Sequence, residues 1–246
     1  IIFRIVNIIM NQNTIYFLGR PDGIGNRIEQ LIQLQEFCEK NNTRCVYIWQ
    51  NSSYRNYKNK ITFKYIEIRN TITQEEKKYL KGKECMLRSP DYLVKYNFNF
   101  TINNNLEYDV IIHIRGGDRL SYTNTHKDIC TPEVLNSYIY KTIEYINNEP
   151  TISSYTIVTE SDTYKQYLKN NINKKYVELQ YYKDIDKDWI DFYYLTKPTK
   201  YVIMCAHFSS YSICASILGQ KKLMVFKNSL NSNLPRYKAD IEIIDK

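Results

Sequence analysis

The stretch His113-Ile114-Arg115-Gly116-Gly117-Asp118-Arg119-Leu120 gathers an imidazole, two guanidiniums, a carboxylate and two glycines directly behind the apolar run Tyr108-Asp109-Val110-Ile111-Ile112. The run reads as a buried strand, which delivers Arg115 at a strand's carboxyl end. A guanidinium presents a planar fork of donors that matches phosphate oxygens, and glycines let a backbone approach a ligand closely. In open α/β sheets ligands bind outside the carboxyl ends of strands. The chemistry expected is capture of a phosphate-bearing molecule by Arg115 and the Gly116-Gly117 backbone. Asp118 stands close enough in sequence either to take a proton from a hydroxyl or to orient the arginines.

Three other groups could serve the same ligand. Gly23-Ile24-Gly25-Asn26 forms a turn between the strand-like Thr14–Leu18 and a helix with Ile28, Leu31, Ile32, Leu34 and Phe37 on its apolar side. Such a turn either approaches a ligand or packs the helix closely. Thr159-Glu160-Ser161-Asp162 follows the strand Tyr155–Val158; Glu160 or Asp162 could accept N–H donors of a ligand, or Ser161 or Asp162 could cap the next helix. Ser209-Ser210-Tyr211-Ser212 opens a further helix, where hydroxyls and backbone N–H groups make either an anion site or a serine-rich cap.

The motif His-x-Arg-x-Gly-Asp, carried by His113, Arg115, Gly117 and Asp118, resembles the signature of the GDP-fucose-dependent fucosyltransferases. Gly116 stands where the α-1,2 branch has a second arginine, and Arg119 lies nearby. The turn at Gly23, Gly25 and Asn26 resembles that family's Gly-Leu-Gly-Asn loop. Asp191-Phe192-Tyr193-Tyr194-Leu195, Tyr201–Cys205 and Ser209–Ser212 resemble its third motif, with Ile213, Cys214 and Ala215 replacing two tryptophans and a glycine.

The resemblance implies an α/β fold of GT-B type, two Rossmann-like units facing a nucleotide-sugar cleft. Residues 1–106 would be a reduced acceptor-side unit and 107–246 the donor-binding unit. It implies a metal-independent, inverting transferase moving fucose from GDP-fucose to a glycan hydroxyl, with Arg115 and Asp118 catalytic. His113, Gly117, Arg119, Glu160, Asp162, Ser209, Ser210 and Ser212 would hold the donor together with the Gly23–Asn26 turn. His113 reads equally as a buried structural histidine.

Competing readings come from other features. Asp184-Ile185-Asp186-Lys187-Asp188 contains Asp-x-Asp patterns that could hold a divalent cation on the phosphates of another nucleotide-sugar. Asp188 with Asp191 reads instead as a helix N-cap with an acidic first turn. Gly116 and the missing tryptophans also fit a catalytically silent glycan-binding protein.

Composition narrows the classes. The 246 residues carry a net charge of +8, with 43% apolar and 24% charged residues, the balance of a globular protein that favours anionic partners. Basic residues are scattered among acidic ones, so a nucleic-acid partner is not expected. The six cysteines form no Cys-x-x-Cys pair and the three histidines give no zinc spacing, so the thiols read as structural and no cofactor is implied. Ile1–Met10 is apolar but too short to span a bilayer. The cytosol is the expected location, or the Golgi lumen if a preceding segment carries an anchor. Oligomeric state stays open.

Alternation of strands and helices runs through the second half, from Pro132–Asn147 with Thr131 as its N-cap to a last strand at Leu223–Phe226. Between Tyr54 and Phe100 the pattern predicts one helix, Gln74–Lys81, and few strands.

Overall fold

The computed structural model describes residues 14–21, 23–50, 60–81, 94–102, 105–116, 130–227 and 239–244. They form a mixed α/β structure with two six-stranded sheets. The first holds β1 (Thr14–Leu18), β2 (Arg44–Ile48), β3 (Ile61–Phe63), β4 (Ile66–Arg69), β5 (Leu80–Lys81) and β6 (Tyr96–Phe98), in the order β5-β1-β2-β4-β3-β6. Helix α1 (Ile24–Lys40) connects β1 to β2, which pair in parallel as a βαβ unit requires. The β3 contacts are antiparallel.

The second sheet contains β7 (Val110–Ile114), β8 (Ser154–Thr159), β9 (Lys175–Tyr176), β10 (Tyr201–Cys205), β11 (Lys222–Val225) and β12 (Ile241–Ile243). All its neighbours are parallel, in the order β12-β11-β10-β7-β8-β9. Its crossovers carry α2 (Pro132–Asn148), α3 (Asp162–Asn171), α4 (Lys187–Leu195) and α5 (Ser210–Gly219).

Two-residue periodicity divides the side chains of this sheet between two cores. Val110, Ile112, Ile114, Ile203, Cys205 and Met224 face α2 and α3, meeting Leu135, Tyr138, Ile139 and Leu168. The alternate residues Ile111, Val202, Met204, Leu223 and Val225 join Trp189, Phe192, Ile213 and Leu218 of α4 and α5. That second core runs on without a break into Phe17, Tyr47 and Trp49 of the first sheet and Ile28 and Leu31 of α1. Trp49 and Trp189 meet across it with ring centroids 6.1 Å apart. Burial on both faces explains why β7, β10 and β11 read as continuous apolar runs.

Several expectations are corrected. In place of a Gln74–Lys81 helix there is one 3-10 turn, Glu76–Tyr79, followed by β5. Thr73 and Glu76 close the turn reciprocally, Glu76 N donating to Thr73 Oγ1 and Thr73 N to Glu76 Oε2, and Leu80–Lys81 then pairs with the β1 edge. Strands β3, β4 and β6 were hidden because each is short and buries few residues, among them Ile61, Phe63 and Ile66. After α3 only Lys175–Tyr176 pairs as a strand, and β12 extends the series past Phe226. Asp186, not Asp188, is the N-cap residue of α4, and its side chain makes no capping bond.

At the amino-terminal face of the second sheet, Asp109 ties three segments together. Its carboxylate accepts from Ser153 N and Oγ, both at 2.7 Å, and from Ser154 N and Thr199 Oγ1, with Lys200 3.5 Å away. Burial alone would raise this carboxyl, but the hydrogen bonds from Ser153, Thr199 and Ser154 outweigh it and bring the pKa down to about 2. Because the folded value is depressed, the stabilisation is complete above the ordinary carboxylate range and fades as pH falls through about 2. Asp109→Ala should cost about 2–3 kcal/mol at pH 7 in urea unfolding. The gap between variant and parent should narrow below about pH 4, and a gap unchanged by acid would refute the assignment.

Candidate functional site

Counted in chain order, the second sheet has the strand order 3-2-1-4-5-6 of doubly wound nucleotide-binding folds, with β7 as strand 1 and β10 as strand 4. The connections leave β7 and β10 in opposite directions, which opens a crevice at their carboxyl ends. Ile114 is in register with Cys205 on one side and Thr159 on the other, so the segments beginning at Arg115, Ala206 and Glu160 leave the sheet side by side. The backbone N–H of Arg115 donates to Cys205 O at 3.3 Å, and Arg115 itself is half-buried at the crevice.

From β10 the chain passes into α5, whose N-cap residue is Ser209. Here the first sheet contributes: α1 begins at Gly23, and its first turn lies directly against the first turn of α5. A Cβ built on Gly25 would fall 2.5 Å from Tyr211 N, 2.7 Å from Ser210 Oγ and 2.8 Å from Tyr211 Cα. Ser210 Oγ donates to Asn26 Oδ1 at 2.7 Å, and Cys214 Sγ lies 3.5 Å from Gly25 O. Gly25 therefore serves close helix packing, and Asn26 is engaged by α5.

Two helix amino termini thus converge, each leaving its first N–H groups without intrahelical acceptors and each carrying partial positive charge. Helices α2, α3 and α4 each place an acidic residue in the first turn, Glu133, Asp162 and Asp188; α1 and α5 have none. Neither Gly23 nor Ser209 caps its helix with a side-chain bond. Ser209 is 2% exposed, and its Oγ has no hydrogen-bond partner among the described residues.

His113 joins β7 to this corner. Its Nδ1 shares a 2.5 Å hydrogen bond with Ser212 Oγ, and its ring lies 5.4 Å from that of Tyr211. Burial, reinforced by the charge of Arg115, lowers its pKa to about 3, so the imidazole is neutral near pH 7. The serines expected to act together have different tasks: Ser212 is bonded to His113, Ser210 to Asn26, and Ser209 keeps its hydroxyl available.

At the end of β8, Glu160 is exposed beside the Arg115 segment. Ser161, not Asp162, caps α3, accepting from Tyr164 N at 3.3 Å; Asp162 is an exposed first-turn residue. Lys187 reaches this strand end from α4, donating to Thr159 O at 3.4 Å. Asp184 and Asp186 are exposed before α4, and no group of three or more potential ligands that could hold a metal occurs among the described residues. Gly117, Asp118 and Arg119 lie outside the described residues.

The sequence reading missed Arg27. It is fully buried in the second turn of α1, with its guanidinium 4.5 Å from the centroid of Trp49 and Nη1 donating to Gln50 O at 2.7 Å. The signal was present: Ile24, Arg27, Ile28 and Leu31 share one helical stripe, so an arginine stands at a core-facing position. With Gln50 Nε2 donating to Gly19 O at 2.5 Å and Tyr47 Oη to Gln30 Oε1 at 2.7 Å, it fixes the β1–α1 turn from behind.

No family model matches the chain, and no curated protein or solved structure matches it either.

Two outcomes follow from this geometry. Alanine favours a helix over glycine by about 1 kcal/mol, but at Gly25 its methyl meets Tyr211 backbone atoms that cannot rotate away. Gly25→Ala should therefore lose about 1–3 kcal/mol net, and a thermal melt showing a gain would refute the close approach. Because the folded pKa of His113 is depressed, the unfolded chain binds its proton first and stability falls as pH drops from about 6.5 toward 3. From pH 7 to 5 the parent should lose about 2 kcal/mol on this account, a slope that His113→Gln removes.

Proposed function

We propose that the chain is a metal-independent, inverting glycosyltransferase that moves fucose from GDP-fucose to a glycan hydroxyl, using two facing α/β units in the GT-B manner. The observation that carries the reading is Arg115 at the switch point of the second sheet, at the end of the strand beside β10, which leads into α5, whose amino terminus converges with that of α1, neither holding a first-turn acid. The buried hydroxyl of Ser209 adds a donor there. This arrangement suits a diphosphate, and its charge suits one that gains negative charge as a bond breaks.

In the proposed reaction the acceptor oxygen attacks the anomeric carbon from the face opposite the diphosphate. The bond from that carbon to the β-phosphate oxygen breaks, its electron pair leaves with GDP, and the acceptor's proton passes to a base, for which Asp118 is the sequence's candidate. Arg115 and the N–H groups of α5 stabilise the departing charge, while neutral His113 holds Ser212 and the helix start in place without adding a second buried cation. Glu160, exposed one strand over, would accept from guanine N1–H and N2–H.

Ligands that bind only the native state raise its melting temperature. GDP and GDP-fucose should do so in EDTA, more than UDP or ADP, and the shift should vanish in Arg115→Ala. Turnover of GDP-fucose by that variant should fall by roughly 10²- to 10³-fold. Full turnover without the guanidinium would refute the mechanism. A UDP-selective, Mn²⁺-dependent shift would assign a different nucleotide-sugar, and glycan binding without GDP release would mark a silent binding protein.

A further inference from the structure

Tyr181 is 43% exposed, yet its hydroxyl donates at 2.6 Å to the carboxylate of Asp191, a residue only 6% exposed. Lys187, one turn earlier on α4, lies 3.5 Å from the other carboxylate oxygen and 5.8 Å from the centroid of the Tyr181 ring. The same ammonium donates to the carbonyl of Thr159, the last residue of β8. A buried carboxylate is costly to desolvate, and fixing the hydroxyl of a residue that stays 43% exposed returns little folding stability. The trio therefore fixes the partly exposed Tyr181 side chain at the carboxyl side of the second sheet.

Through Lys187 the trio is tied to the end of β8, the strand beside β7, which ends just before Arg115. In this strand order a bound nucleotide places its phosphates at the switch point and its nucleoside over the end of strand 2. We infer that the Tyr181 ring is a stacking platform for the purine of the bound nucleotide, with Asp191 and Lys187 as positioning residues. The inference rests on the nucleotide-binding reading above. Glu160, exposed at the same strand end, would read the edge of a base stacked there.

Calorimetric titration with GDP and with inorganic pyrophosphate separates base from phosphate recognition. Tyr181→Leu should bind GDP about tenfold or more weakly, the scale of losing one base–aromatic stack, while its pyrophosphate affinity stays within about twofold of the parent. Tyr181→Trp, which keeps an aromatic face, should restore GDP binding. The inference is overturned if Tyr181→Leu binds GDP like the parent, if it loses GDP and pyrophosphate equally, or if Tyr181→Trp behaves like Tyr181→Leu. A parent protein that binds neither GDP nor pyrophosphate overturns the nucleotide-binding reading itself and the platform with it.

Discussion

The structure depends on one close approach, that of Gly25 in α1 to the backbone of Tyr211 in α5. With no side chain between them, the first turns of two helices from two sheets come into contact, and the apolar core can run from Phe17 to Val225 without interruption. The approach also has an electrostatic cost, since two positive helix ends face each other. The Ser210–Asn26 bond gives local relief, and neither first turn offers an acid. Negative charge at such a corner would meet the partial positive charge of both helices.

The buried polar groups around that corner are arranged to keep it from collapsing onto itself. Arg27 spends its charge on the Trp49 face and the Gln50 carbonyl behind the turn, so it stiffens the β1–α1 connection from inside. His113 is buried, and a second full cation beside Arg115 would be costly there; holding it neutral lets it bond Ser212 while Arg115 supplies the fixed charge. The amino-terminal face of the same sheet follows the opposite logic. There Asp109 accepts from several donors at once and contributes to stability, while at the carboxyl face the hydroxyl of Ser209 has no partner among the described residues.

How much of this the sequence disclosed follows from how each element earns its burial. Strands β7, β10 and β11 are covered on both faces, so their apolar runs were plain, as were α1 and α2 with their 3.6-residue stripes and the Thr131 cap. Strands β3, β4 and β6 are three or four residues long, and the pairing of β4 with β2 and of β6 with β3 joins segments well apart in the chain, which local pattern does not carry. At the crevice, the places of Arg115, His113 and the serines of α5 were legible because a strand end and a helix start can be read from pattern. Which serine meets which partner was not, since the bonds to Asn26 and His113 span 184 and 99 residues.

The same reasoning explains why Gly25 was ambiguous and Tyr181 invisible. A glycine in a strand-to-helix turn looks alike whether a ligand or another helix needs the space, and only the position of Tyr211 decides it. Tyr181 is one of 24 tyrosines, and nothing local separates a ring anchored on a buried carboxylate ten residues onward from one lying idle on the surface. What distinguishes it is a mismatch, a buried charge committed to an exposed ring, and mismatches of that kind arise only when elements are brought together. The carboxylate of Asp191 joins the loop after β9 to α4, and Lys187 joins both to the end of β8. An effect on one of these three segments must therefore be felt by the others, and any ligand resting over β8 meets a surface already held in a single arrangement.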